Sequence, residues 1–191
     1  MNWKNNVINI ENILSLLSIS NKDGDGIDID SGFKKLLDYT IQIKNTNGTA
    51  YFVGNGASAS MASHISADIG KNAKIKTEVF TDLSLITAIA NDISYKNVFS
   101  EPLSWKIDIG DMIVAISSSG NSPNVLEAVK TASLKKAFIV TLSAMEPDNP
   151  LRKMGNLNFY VPADSYGYAE VSHTAILHYW VDILLRVIKS E

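Results

Sequence analysis

The 191-residue sequence contains no cysteine. Disulfides, thiolate nucleophiles and cysteine metal ligands are thereby excluded, and the composition fits a reducing compartment, so a cytoplasmic location is expected. No stretch of about 18 apolar residues free of charge occurs, so no membrane-spanning helix is expected. The opening residues through Leu17 carry no small-residue cleavage site and do not read as a secretory signal. Positive charge is not in excess either. Lysine and arginine total 17 against 20 acidic residues, a net charge of −3, which leaves no electrostatic footprint for nucleic acid. Two nucleotide signatures are also missing. No Gly-Lys-Ser/Thr follows a glycine-rich turn, and G-x-G-x-x-G is not met.

What remains is ample for one packed domain, with 46% hydrophobic and 19% charged residues. Residues 4–19 carry Val7, Ile8, Ile10, Ile13, Leu14, Leu16 and Leu17 near helical spacing. Ser31 is a candidate cap for a second helix with Phe33, Leu36, Leu37, Tyr39 and Ile41 on its apolar side. Between them, Asn21, Asp23, Asp25 and Gly26 match the opening of a calcium loop. Position twelve is Gly32 instead of the bidentate glutamate, so the segment reads as a solvated interhelical loop.

From residue 46 the pattern changes. Apolar runs at Ala50–Val53, Met112–Ile116, Ala137–Leu142 and Leu157–Val161, with a shorter one at Lys76–Phe80, alternate with helical stretches. Continuous apolar strands of this kind belong to a sheet covered on both faces. The expected fold is a doubly wound α/β domain over residues 46–191, with residues 1–45 as a helical extension used in packing or oligomerisation. The last segment, Ala169 to Ile188, has no glycine or proline and reads as a long helix.

Two strand ends are rich in small polar residues. One is Gly54-Asn55-Gly56-Ala57-Ser58-Ala59-Ser60, and the other is Ser117-Ser118-Ser119-Gly120-Asn121-Ser122-Pro123. Each precedes a helical stretch. A strand end followed by a helix N-terminus offers unpaired N–H groups, a favourable dipole and hydroxyl donors, which suits a phosphate monoester.

These residues also carry a resemblance to the phosphoheptose isomerases, a branch of the sugar-isomerase (SIS) fold. The turn Gly54–Ser58 resembles that family's GNGGS, and Ile116–Ser122 resembles its IS(T/A)SGNS loop. Thr87–Asp92 resembles the family segment ending in Asn-Asp, and Val161-Pro162 with Tyr166-Gly167 resembles the stretch before its last helix. The match runs from about residue 30 to the C-terminus. It implies a three-layer α/β/α fold with a five-stranded, mainly parallel sheet. It also implies phosphate contacts from Ser117, Ser118, Ser119 and Ser122, with Asn55, Gly56, Ser58 and Asp92 contributing to the substrate site. Ala57 replaces the second glycine of the family turn.

His64 and Asp68 are four apart, which on a helix places them on one face, about 40° apart. Glu170 and His178 are eight apart, about 80° around the axis. Two histidines and two carboxylates form a donor set that zinc accepts. The resemblance implies His64, Asp68, Glu170 and His178 as zinc ligands. A rival register would place His173 at the position of Glu170 and leave Val181 in place of the second histidine. His173 otherwise has no assigned role.

Aldose–ketose isomerisation needs a base beside the carbonyl, an acid for the enediol, and stabilisation of negative charge on oxygen. The resemblance implies Asp68 as base and His178 as its partner, with Glu170 as an alternative base. Asp68 is one methylene shorter than the family's usual glutamate, a shift of roughly 1 Å. The implied activity is conversion of sedoheptulose 7-phosphate to D-glycero-D-manno-heptose 7-phosphate for surface polysaccharides, by a homotetramer with shared active sites. The alternatives are an isomerase of another sugar phosphate and a non-catalytic SIS sensor or initiator-binding protein.

Overall fold

The computed structural model describes residues 2–190. In chain order its elements are α1 (Trp3–Ser15), β1 (Ser18–Ser20), β2 (Gly26–Ile27), α2 (Ile29–Thr46), β3 (Thr49–Gly54) and α3 (Ala57–Asp68). A π-helical turn (Ile69–Ala73) leads to β4 (Lys76–Val79), α4 (Leu83–Asp92), a 3-10 turn (Tyr95–Asn97) and α5 (Ser100–Ser104). Then come β5 (Met112–Ser117), α6 (Pro123–Leu134), β6 (Phe138–Ser143), β7 (Leu157–Tyr160) and α7 (Tyr166–Ser190).

The sheet runs β2-β1-β7-β6-β5-β3-β4. Five strands, β4, β3, β5, β6 and β7, pair in parallel, and they are the five apolar runs of the sequence. Two antiparallel strands extend the β7 edge and make the sheet seven-stranded instead of five. β2 comes from the segment read as a solvated loop, and β1 from the end of the stretch read as helical, where α1 stops at Ser15. Strands of three and two residues are too short to show a period of two. The turn between them is set by Asn21, whose Oδ1 accepts from the N–H groups of Asp23 and Asp25, both at 2.9 Å.

Alternation along the parallel strands divides the core. Ala50 and Phe52 on β3, with Met112, Val114 and Ile116 on β5, face a cluster closed by α2, α3 and α7. Tyr51 and Val53, with Ile113 and Ala115, face the opposite cluster with residues of α4, α5 and α6. Strands buried on both faces therefore read as unbroken apolar runs. In the first layer Trp180 is buried against Phe52, and its indole N–H donates to Thr40 Oγ1 at 3.1 Å. The helices α1 and α2 both pack on α7. The N-cap of α2 is Asp28 and not Ser31: its carboxylate accepts from the Ser31 N–H at 3.0 Å.

The parallel strand order places β4 on one side of β3 and β5 on the other. The connections reverse direction there, and in an open α/β sheet the crevice outside the strand carboxyl ends at this point is where ligands bind. The turns that leave β3 and β5 are the two small-residue turns noted in the sequence.

Candidate active site

The β3 turn reaches α3 through Gly56, whose φ of 54° and ψ of −124° suit a residue without Cβ. The β5 turn contains Gly120 at φ 63°, where an added Cβ would overlap the buried Asn149 amide. Asn149 in turn donates to the Glu146 carbonyl at 2.8 Å, and the Ser118 carbonyl accepts from the Ala144 N–H at 3.0 Å. The serine loop is thus braced from β6.

These turns enclose a cavity of about 160 Å³, lined by Asn55, Ser58, Ser117, Ser118, Ser119 and Ser122, with Ile116, Tyr166 and Glu170 completing the wall. At roughly 30 Å³ per water, that is room for a group the size of a phosphate. Ser117 Oγ and Ser122 Oγ are 3.1 Å apart. Among the described residues no lysine or arginine lines the cavity, and Glu170 is its one charged side chain. An anion here is met by hydroxyls and by main-chain N–H groups. Neither Gly56, the N-cap of α3, nor Ser122, the N-cap of α6, makes a side-chain cap bond; in the first turn of α6 the Val125 N–H donates to Asn124 Oδ1 at 3.0 Å. A larger cleft of about 570 Å³ lies between α1 and the start of α7, where Asp164 and Tyr168 are the only titratable groups among the described residues.

Along the seam between α3 and α7 two rows of side chains face each other. Glu170, Thr174 and His178 are each one turn apart on α7, and Ala57, Met61, His64 and Asp68 run down α3. Thr174 Oγ1 lies 3.0 Å from Met61 Sδ. A shallow depression of about 360 Å³, lined by Ala57, Ser60, Met61, Glu170, Val171 and Thr174, follows this seam, and Glu170 borders both it and the serine cavity.

Further along, the structure brings His64, Asp68 and His178 together, with one ligand atom from each lying within 4.8 Å of the others. His64 Nε2 is 3.4 Å from Asp68 Oδ2, and the two imidazole centroids are 5.2 Å apart. Donors around a tetrahedral ion with bonds of about 2.1 Å sit roughly 3.4 Å from each other, so this set fits three ligands with one position open. The helix that supplies His64 and Asp68 passes into the π turn directly after Asp68.

The fourth ligand expected from the sequence, Glu170, is not brought to this cluster within one chain. Eight residues along one helix are about 12 Å of axial rise, which angular proximity does not remove. Glu170 stands on the serine cavity instead. Asp92 ends α4, is exposed, and accepts from its neighbour Asn91 at 2.8 Å; it does not line the serine cavity. His173 is fully buried with neither ring nitrogen in hydrogen-bond geometry. Burial pushes its pKa down to about 4, opposed by the Ser143 main chain, so it is a neutral core residue, and it lies outside the His64–Asp68–His178 cluster.

Residues 29–144 match the family model described as SIS domain. The phosphoheptose isomerase of Sulfurimonas denitrificans is 37% identical over 145 residues, 72% of this chain and 73% of that protein. The phosphoheptose isomerase of Coxiella burnetii is 34% identical over 141 residues, 70% of this chain and 71% of that one. The chain belongs to the phosphoheptose isomerase family. Among solved structures, the phosphoheptose isomerase of Neisseria gonorrhoeae superposes with a TM-score of 0.80 at 25% identity, covering 94% of both chains. With this SIS-fold family comes the reaction class: the protein is a sugar-phosphate isomerase.

Three side chains at this family's site have no role in the reading of the sequence. Tyr166 lines the serine cavity from the first turn of α7, Tyr95 reaches Asn55, and Asn124 bonds to Asn55 from the first turn of α6. Tyr166 falls inside a matching motif. The other two are separated from Asn55 by 40 and 69 residues, and no local pattern links them.

Proposed function

We propose that the protein converts sedoheptulose 7-phosphate to D-glycero-D-manno-heptose 7-phosphate by proton transfer through an enediol. The α3–α7 seam carries this reading, with a donor-lined cavity bordered by Glu170 at one end and His64, Asp68 and His178 at the other. A phosphate held at one end of a long sugar leaves the carbonyl end far from it. Two helical turns between Glu170 and His178 match a ketose in which phosphate and carbonyl lie at opposite ends.

The phosphate is assigned to Ser117, Ser118, Ser119 and Ser122 at the N-terminal end of α6. Asn55, Ser58 and Glu170 orient the sugar beside it. At the far end Asp68 removes a proton from C1 while the C2 oxygen gains one, giving the enediol. Loss of the O1 proton and return of a proton to C2 complete the aldose, with His178 serving the oxygens. We assign zinc to His64, Asp68 and His178, where the bound ion would stabilise negative charge on the substrate oxygen. Asp68 has two oxygens and His178 two nitrogens, so ligation through one atom leaves the other for proton work.

We further assign a homotetramer in the cytoplasm that supplies heptose for surface polysaccharide. Support for self-association is the exposed apolar set Trp3, Val7, Ile8, Tyr166, Val171 and Tyr179 on α1 and α7. Residues 1–45 are assigned to that packing, and 46–191 to the isomerase domain.

The test is turnover of sedoheptulose 7-phosphate by purified protein, stripped of metal and then supplied with zinc, beside Asp68→Asn and His178→Ala. Zinc-dependent turnover is expected, with losses of about 10²–10⁴-fold in each variant. Turnover of a different ketose phosphate alone would move the substrate. Binding without turnover of any sugar phosphate would sink the catalytic reading in favour of a sensor.

A further inference from the structure

Asn124 is a polar residue only 2% exposed, in the first turn of α6, and its amide is paired head to tail with that of Asn55. Asn55 Nδ2 donates to Asn124 Oδ1 at 2.8 Å, and Asn124 Nδ2 donates to Asn55 Oδ1 at 2.8 Å. The direction of this pair is fixed from outside it. The Val125 main-chain N–H, which can only donate, points at Asn124 Oδ1 at 3.0 Å. The oxygen of Asn124 must lie on that side, so the nitrogen of Asn55 faces it and the oxygen of Asn55 faces the Asn124 nitrogen.

Asn55 Oδ1 receives a second donor, the Tyr95 hydroxyl at 3.4 Å. Tyr95 begins the 3-10 turn that packs on α6, and the next residue, Lys96, is held to Glu127 of α6 by an ion pair of 3.0 Å. Both acceptor sites of the Asn55 amide are thereby occupied, along with one of its two N–H bonds. The remaining N–H is the only polar group this side chain has left for the cavity it lines.

We propose that Asn124 is a positioning residue which, with Tyr95, locks the Asn55 amide so that it offers the substrate one hydrogen-bond donor and no acceptor. The group recognised is therefore an oxygen with a free lone pair, from a phosphate or a sugar hydroxyl. This rests on the reading of the serine cavity as the substrate's phosphate end. Asn124 also ties the β3 turn to the β5 loop, so one contact sets the sugar-facing and phosphate-facing walls in register.

The test is a double-mutant cycle of Asn55→Ala and Asn124→Ala, read as the Kd of sedoheptulose 7-phosphate by calorimetry and as KM and kcat where turnover occurs. Loss of one oriented hydrogen bond is expected to weaken binding about tenfold in each single variant. Because Asn124 acts through Asn55, the double variant is expected to be no more than about twofold weaker than Asn55→Ala alone. KM is expected to carry the loss, with kcat within about threefold of wild type. Effects that multiply to about 100-fold, or a loss confined to kcat, would overturn the proposal.

Asn124→Asp covers the case in which the alanine variant does not fold. It keeps the acceptor for Val125 but cannot donate to Asn55, so wild-type affinity in it would also overturn the proposal. In an Asn55→Ala background the same change is expected to be silent, which separates lost donation from added charge. Wild-type protein that binds the sugar phosphate without turning it over would fail the catalytic reading and leave the cycle readable. Wild-type protein that does not bind it at all would overturn both.

Discussion

Helices α2 and α4 start away from the serine cavity, and each is closed by its own aspartate. Asp28 accepts from Ser31, and Asp82 accepts from Leu85 at 2.9 Å. Helices α3 and α6 start at the cavity, and in neither does the N-cap residue make a side-chain cap bond; Ser58 and Ala59 N–H donate to main-chain carbonyls, and Val125 N–H to Asn124 Oδ1. The Ser122 hydroxyl sits beside Ser117 instead of its own helix's N–H groups. A cap stabilises a helix by satisfying N–H groups that an anion would otherwise use. The chain closes α2 and α4 with an aspartate each and places no N-cap carboxylate at the two helix starts that border the cavity. The same contrast appears in the charges: the carboxylates of Asp28 and Asp82 are held below their usual range by hydrogen bonds from Ser31 and from Ser84 and Leu85 respectively, while the serine cavity carries only Glu170.

The largest effect is expected from closing the open loop sterically. Gly120→Ala places a methyl group on Asn149 and a side chain at positive φ, costing about 3 kcal/mol by urea unfolding together with loss of phosphate binding. Stability unchanged within error would show that Asn149 yields freely.

A second effect comes from beneath the site. His173 titrates near 4 when folded and near 6.5 when unfolded. Below 6.5 the unfolded chain binds the extra proton, so stability is complete above that pH and falls as pH drops toward 4. The loss is on the order of 3 kcal/mol. Urea unfolding of wild type and His173→Gln across this range checks it, and the variant is expected to lack the slope.

The smallest effects sharpen the contrast between helices with and without an N-cap side-chain bond. Asp82→Ala is expected to lower Tm by about 2–4 °C without changing KM. Ser122→Ala is expected to do the reverse, raising KM about tenfold while leaving Tm within about 1 °C. Calorimetry and steady-state kinetics on the two variants, compared directly, decide whether the division of labour holds.

Much of this site is legible along the chain. The five parallel strands are continuous apolar runs because both faces are buried, and Ser117–Ser122 and Gly54–Ser58 mark strand ends by their small residues. His64 and Asp68 show their shared face by spacing alone. The spacing of Glu170 and His178 is less informative. It gives an angle and hides a rise of about 12 Å, so two groups on one face stand at opposite ends of the seam. The hairpin β1–β2 stays hidden because strands of two and three residues show no period, and turn chemistry resembles loop chemistry.

By itself, the sequence determined what short-range physics can encode: the five parallel strands, the long last helix, the two polar turns, the shared face of His64 and Asp68, and the absence of any cysteine chemistry. Tertiary structure alone decided the rest. Bringing His178 to His64 and Asp68 takes the packing of α7 on α3, across more than a hundred residues of chain. Orienting the Asn55 amide takes Asn124 and Tyr95, which no period or spacing connects to it. Contacts of that range depend on how layers stack and which strand ends meet at the reversal between β3 and β5, and a linear pattern carries neither.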